Sequence, residues 1–303
     1  MGKILVSGLI NIETTVKVDG FPVAYAPVRY PFFGVNSTVS GVGYNVAKAL
    51  VTLGDEVHFL SLIGKDLAGE TVHAQLKADG IPGGLVAREL DQTPQSVIMY
   101  EPSGRRAINV DLKDIQETPY PPGLFEFAAS STSLAVLCNI NFSRPFLAQM
   151  KDRGVPIATD VHAISDLASD YDGAFMQYAD ILFLSDEGLP CSPEEWARRI
   201  WDRYGTAIVV IGLGGEGALL AVRADNRIER FPAVYTRDVV NTIGAGDALF
   251  SCFVHHYNES ADPYAALKRA MVFASYKVGV AGAADGFLNR TGLETWCEQV
   301  YGE

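Results

Sequence analysis

Cysteine is scarce, with four residues in 303: Cys138, Cys191, Cys252 and Cys297. No two stand at C-x-x-C spacing and no Cys/His pattern builds a ligand set, so nothing suggests a zinc ribbon or a dithiol redox site. The four read as small core side chains in a reducing compartment. Long apolar runs are missing too. The opening MGKILVSGLI is apolar only to Ile10 before Asn11 and Glu13 follow, too short for a secretory h-region or a bilayer span. Val6 stands where a myristoylation signal needs Ser or Thr. Basic residues are in deficit, 24 Lys and Arg against 36 Asp and Glu for a net charge of -12, which disfavours nucleic acid and anionic membranes as partners. A cytoplasmic protein binding neither is expected. There is no G-x-x-x-x-G-K-[ST], internal repeat or low-complexity tract, which removes Walker-type NTPases and repeat architectures.

What is present is a recurrence of short apolar segments: 3–10, 56–64, 134–140, 155–160, 181–185 and 206–213. Strands buried on both faces and separated by helical stretches predict an α/β core around a mainly parallel sheet. Val46, Leu50 and Leu53 form one helix face closed by Gly54, and Ser192-Pro193-Glu194-Glu195 reads as an N-cap, a first-turn proline and a capping box. Two segments break the rhythm. Residues 14–33 and 95–111 alternate loosely, with turn signals at Asp19-Gly20 and Pro102-Ser103-Gly104, and are expected as hairpin-like strands of a small β lid. The domain expectation is a core of 1–11, 36–93 and 112–303, with a lid of 12–35 and 94–111.

Three stretches carry the candidate chemistry. Asn241-Thr242-Ile243-Gly244-Ala245-Gly246-Asp247 precedes an apolar helical pattern. A helix beginning there leaves free N–H groups at its positive end, where an anion is favoured. Asp247 is then either an acid placed to take a proton from a hydroxyl attacking phosphorus or a plain first-turn Asp. Gly212-Leu213-Gly214-Gly215-Glu216-Gly217 matches G-x-G-x-x-G by letter, but ALLAV after it reads as a strand, not a helix. That excludes a dinucleotide fingerprint. A strand-to-strand turn is expected, ordinary or cradling phosphate with its amides. Ser40-Gly41-Val42-Gly43-Tyr44-Asn45 puts two glycines before a helix with Asn45 in its first turn, a site for a small polar ligand or simply a capped loop.

In this order and spacing the three stretches resemble the ribokinase-like, or PfkB, family of carbohydrate and nucleoside kinases, over nearly the whole chain. The 40–45 stretch with Gly54 and Gly64 is similar to the N-terminal signature, with Ser40 in place of its first glycine. The 241–247 stretch is similar to the C-terminal D-T-x-G-A-G-D, with Asn241 in place of the first acid. The resemblance implies a Rossmann-like ribokinase fold with a β lid. It also implies transfer of the γ-phosphate of ATP, with Mg2+, to a hydroxyl of a small sugar-like acceptor. On this carry-over Asp247 is the base, and the amides of Gly244, Ala245 and Gly246 are the anion hole. Asn11, Gly41, Gly43 and Asn45 hold the acceptor, and Ser185, Gly212, Gly214, Gly217 and Thr242 lie along the nucleotide.

Three departures accompany the likeness. Ser185-Asp186-Glu187-Gly188 stands where the family shows N-x-x-E, so glycine occupies the usual glutamate position and Glu187 becomes the candidate metal ligand. Asn241 replaces an acid that helps relatives hold a monovalent cation, which leaves potassium open. Asn141 stands where ribokinases carry a sugar-contacting Glu, which turns the expectation away from D-ribose while keeping Asn141 as an acceptor contact.

Arg105 and Arg106 lie on the lid turn, either as a solvated hairpin tip or reaching an anionic substrate group, for which Arg106 is the candidate contact. Tyr30, Phe32 and Phe33 serve equally a base or sugar ring, a lid face or a subunit contact. Open lid edges predict a homodimer through the lid. Asp160 ends a strand facing the cleft, either near metal-bound water or as a strand-end cap, while His255 and His256 show no metal spacing and are expected to be structural. A nucleoside kinase of the same family is the rival within the class, and a noncatalytic nucleotide-binding protein the rival outside it.

Overall fold

The structure, a computed structural model, describes residues 2–102 and 105–302. The opening apolar segment forms β1 (Lys3–Ser7), and the chain turns at once into β2 (Asn11–Lys17). After a long excursion come β3 (Val35–Ser40), α1 (Val42–Leu53), β4 (Val57–Gly64), α2 (Leu67–Ala78), β5 (Val86–Leu90) and the hairpin strands β6 (Gln95–Tyr100) and β7 (Arg106–Asp111). Strands and helices then alternate: α3 (Pro122–Ala129), β8 (Thr132–Leu137), α4 (Arg144–Asp152), β9 (Ile157–Asp160), α5 (Asp170–Tyr178), β10 (Ile181–Ser185), α6 (Pro193–Tyr204) and β11 (Ile208–Gly212). An antiparallel pair, β12 (Gly217–Val222) and β13 (Arg227–Pro232), precedes three closing helices, α7 (Ala245–Ser260), α8 (Pro263–Lys277) and α9 (Arg290–Tyr301).

Nine strands make one sheet in the order β13-β12-β11-β10-β9-β8-β1-β4-β5, parallel except at its β11-β12-β13 end. Helices cover both faces. Val46, Leu50, Phe250, Phe253 and Phe273 pack on one side, and Phe125, Phe146, Phe175 and Trp196 on the other. Each such side chain contributes roughly 1.5–3 kcal/mol by leaving water, which is why β4 and β12 are buried at every position. All six apolar segments form strands of this sheet, and β5 joins its edge beside β4. Gly54 closes α1 in the left-handed region at φ 99°, and Ser192 Oγ accepts from the Glu195 N–H at the start of α6.

The second sheet has the order β3-β2-β6-β7 and forms the lid. The turn expected at Asp19-Gly20 does not close a hairpin. The chain leaves β2 at Lys17, runs irregularly through 18–34 and returns as β3, so the lid sheet takes in 35–40 as well. Pro22, Pro27 and Pro31 have no N–H for a ladder, which keeps that excursion out of strand pairing. β6 and β7 form the expected hairpin, closed by Glu101 N–H to Arg105 O at 3.1 Å. Of the turn signal at 102–104, Ser103 and Gly104 lie outside the described residues. Among the described residues no helix is long and apolar enough to cross a membrane.

Candidate active site

The C-terminal ends of β1, β8, β9, β10 and β11 open on one side of the sheet, where an α/β fold places its ligands. Two helix N-termini and the lid converge there. α1 lies unusually close to the bend between β1 and β2. A Cβ on Gly43 would stand 2.5 Å from the carbonyl carbon of Gly8, and one on Gly41, whose φ is 108°, 2.6 Å from Leu9 O. That approach turns Asn45, in the first turn of α1, toward α7, and its Nδ2 donates to Asp247 Oδ2 at 2.6 Å. The two expected signatures, about 200 residues apart, meet at this bond.

The 241–247 stretch is a tightly specified bend. The N–H groups of Val240 and Asn241 both donate to Val278 O, at 2.8 and 3.0 Å. Asn241 Oδ1 accepts from the Ile243 N–H at 2.8 Å, a local turn that needs a side-chain acceptor but no charge. Gly244 has φ 75°, and a Cβ there would stand 2.4 Å from Ala283 O. Ile243 packs against Ile98 of the lid and Ala283. One expectation is corrected. The Ala245 N–H is taken by Thr242 O at 3.2 Å, because the turn folds back on itself. Among the described residues no hydrogen bond engages the N–H groups of Gly244, Gly246 or Asp247. Space is open around Gly246, where an added Cβ would meet nothing within 4 Å.

Asp247 is half-buried. Burial, and then the nearby Asp160, hold its carboxyl above the usual carboxylate range, against the Asn45 hydrogen bond and the positive ends of His162 and Lys277. Asp160 ends β9 and accepts from the His162 N–H at 2.8 Å, with His162 itself at φ 59°. Asn11 opens β2 and donates to Ser96 Oγ at 3.0 Å. Among the described residues its Oδ1 and that of Asn45 are both buried without a partner. Such an orphaned acceptor calls for a donor.

Arg106 reaches from the lid to the bend, its Nη1 donating to Thr242 Oγ1 at 3.3 Å. The 185–187 and 212–217 turns follow separate strands and are tied to their surroundings by backbone bonds. Ser185 N–H donates to His162 O at 2.7 Å, Asp186 N–H to Gly212 O at 3.0 Å, and Glu187 N–H to Ser185 Oγ at 3.2 Å. Gly214 and Gly215 face open space, whereas Gly217, at φ 110°, lies so close to β13 that a Cβ would collide with Phe231 O. Glu187 is exposed on this turn, and its carboxylate together with that of Asp160 is the oxygen donor type that magnesium takes.

Asn141 follows the end of β8. Its N–H and Nδ2 both bond Gln116, at 3.0 and 3.1 Å, and it lines a cavity of about 380 Å³ with Tyr120 and Phe142. A larger cavity of about 610 Å³ lies between α1, α2 and the lid, and Asp247 does not line it. His255, His256 and Glu259 do gather ligand atoms within 4.8 Å of one another. Arg290 pairs with Glu259 and stands 3.4 Å from His255 Nε2, occupying the place of a cation, while His255 Nδ1 is 2.7 Å from Asp55.

Glu13, Ser96 and Lys277 are the residues that sequence reasoning missed. Glu13 is buried beside Ser40, which donates to it at 3.2 Å. Burial raises its pKa, with Asp247 adding to the rise. Only Lys277 left a trace in the sequence, a lone cation inside the apolar stretch MVFASYKVGVAG.

The whole arrangement has close counterparts. The profile of the pfkB family carbohydrate kinases matches residues 1–290. The acarbose 7(IV)-phosphotransferase of Actinoplanes sp. SE50/110 is 26% identical over 298 residues, 96% of either chain. The 5-dehydro-2-deoxygluconokinase of Clostridium perfringens is 28% identical over 276 residues, 80% of either chain. The solved structure of a microbiome-derived acarbose kinase superposes with a TM-score of 0.88 at 24% identity, covering 98% of this chain and 99% of its own.

Proposed function

The chain belongs to the pfkB family of carbohydrate kinases, and from that premise we propose that it moves the γ-phosphate of ATP to a hydroxyl of a small sugar-like acceptor, with Asp247 as the base. The observation that carries this reading is the Asn45–Asp247 contact of 2.6 Å beside free amides and open space at Gly246.

The acceptor hydroxyl is held by the unpaired Oδ1 atoms of Asn11 and Asn45, which accept from sugar hydroxyls. Asp247 takes the proton as the acceptor oxygen bonds the γ-phosphorus, and the bond from phosphorus to the bridging oxygen breaks, leaving ADP. The N–H groups of Gly244, Gly246 and Asp247 meet the negative charge that grows on the phosphoryl oxygens. One such donor is typically worth about 2.7–4 kcal/mol in the transition state. The 212–217 turn lies along the nucleotide. Magnesium, when bound, neutralises phosphate charge, and Glu187 and Asp160 are the residues that would hold it, directly or through water. Potassium has no carboxylate to meet at Asn241, so turnover in its absence is expected.

The acceptor is a carbohydrate rather than a nucleoside on this reading, since two relatives with long aligned spans are named as carbohydrate kinases. A catalyst rather than a mere binder is supported by the acid among the free amides, which binding alone would disfavour. The lid also supports a homodimer. Val35, Ile108 and Val110 are half-exposed on its strands, and Tyr30, Phe32 and Phe33 protrude from the excursion beside them.

ATP consumption measured with Mg2+ across monosaccharides, sugar acids, oligosaccharides and nucleosides tests the assignment. Turnover with a sugar-like acceptor is the expected result. Turnover with nucleosides alone, or with nothing, overturns it.

A further inference from the structure

Lys277 enters none of the steps above, yet it is the last residue of α8 and its side chain has no exposed surface. A buried ammonium is costly unless it is paired and hydrogen-bonded, so its position needs a reason. It donates to the main-chain oxygen of Ile243, inside the bend that ends at Asp247. The same bend is tied to the next residue of α8's end through Val278 O, which accepts from both Val240 and Asn241. Three carboxylates from three different elements favour its charge electrostatically: Asp247 of α7, Asp285 of the following loop and Glu13 of the lid. Arg237 is the cation that opposes it.

We propose, on the strength of the kinase reading above, that Lys277 is a built-in cation of the transfer site. As a positioning residue it holds the 241–244 bend so that the Gly246 and Asp247 amides face outward, and it offsets the charge of Asp247. No soluble cation has to be recruited to that spot. Two features set this apart from ordinary structural pairing. The ammonium bonds a carbonyl of the very loop that presents the free amides, and the charge that favours it most is that of the proposed base. Burial pulls its pKa down to about 8. The protonated form is the one that bonds Ile243 O and offsets Asp247, so its service is lost as the pH rises through about 8.

The test compares wild type, Lys277→Met, which keeps an unbranched chain of similar length, and Lys277→Ala, which opens a space. Wild-type kcat is expected to fall on the alkaline side with a midpoint near the Lys277 pKa of about 8. Lys277→Met should lose about 10- to 100-fold in kcat, the scale of a misplaced catalytic group, and lose that alkaline limb. Ethylammonium should restore part of kcat to Lys277→Ala and none to Lys277→Met or Asp247→Asn. In the free protein, amide hydrogen exchange across 238–247 should quicken in Lys277→Met. A Lys277→Met enzyme with wild-type kcat, or with the alkaline limb retained, overturns the proposal, and so does unchanged exchange in 238–247. Should Lys277→Ala fail to fold, Lys277→Met and the wild-type profile decide. If no acceptor is ever phosphorylated, the kinase reading fails while the exchange result still judges the hold of Lys277 on the bend.

Discussion

On the proposed reading Asp247 must lose its proton to act, yet burial and the nearby Asp160 make it hold that proton more tightly than an ordinary Asp does. This makes it a stronger base at the cost of activity in acid. The sign follows directly. The ionised form is the working one, so kcat/KM falls as the pH drops through the raised pKa. The Asn45 hydrogen bond favours that ionised form; Asn45→Ala should therefore move the acid limb to higher pH, read from a pH–rate profile. Asp247→Asn should cost about 10²- to 10⁴-fold in turnover, the usual worth of a positioned base. Its stability should move the other way. A folded pKa above the unfolded one means that stability present at low pH is lost as the pH rises through the folded value. The neutral amide escapes that loss, and calorimetry at pH 7 should find Asp247→Asn no less stable than wild type. A large fall in melting temperature would assign Asp247 to the fold instead. Asp247, Asn45 and Asn11 were legible because each sits in a local pattern. Glu13, Ser96 and Lys277 were not, because what brings them to the site is strand pairing and helix packing.

Among the elements, the two signature helices owe their meeting to glycines that no other residue can replace. At Gly43 a methyl group would meet the backbone of Gly8 at 2.5–2.8 Å, and backbone cannot step aside as a side chain can. Gly43→Ala is expected to destabilise by about 1–3 kcal/mol and, by pushing α1 from β1, to weaken the Asn45–Asp247 contact. Gly123, in α3, faces open space, and Gly123→Ala should stabilise by about 0.4–1 kcal/mol through the unfolded chain. Denaturant titration of both variants checks the contrast. The elements themselves were largely readable. Apolar runs buried on both faces announced six strands of the large sheet, and Ser192 and Gly54 announced helix ends, because capping depends on neighbours within four residues. The excursion at 18–34 was misread as a hairpin, since Asp19-Gly20 favours a tight turn but nothing local reveals that the partner strand waits at 35–40.

At the scale of the molecule, one mostly parallel sheet puts residues from across the chain at its C-terminal edge, and a separate four-stranded sheet stands over them. The lid has its own open edges at β3 and β7, with half-exposed Ile108 and Val110. Pairing with a second copy, as proposed above, would cover them. Light scattering is expected to give the mass of two chains. Ile108→Asp with Val110→Asp should give that of one, whereas an unaltered dimer would place the interface elsewhere.

By itself the sequence determined the architecture and the two signatures, since burial periodicity, caps and glycine-lined turns are properties of residues a few positions apart. Tertiary structure alone decided which amides stay free, that Asn141 bonds Gln116, and that a lysine is buried against the bend before Asp247. Those facts depend on contacts between residues tens to hundreds of positions apart, and a one-dimensional pattern carries no record of which distant groups will share the same few ångströms.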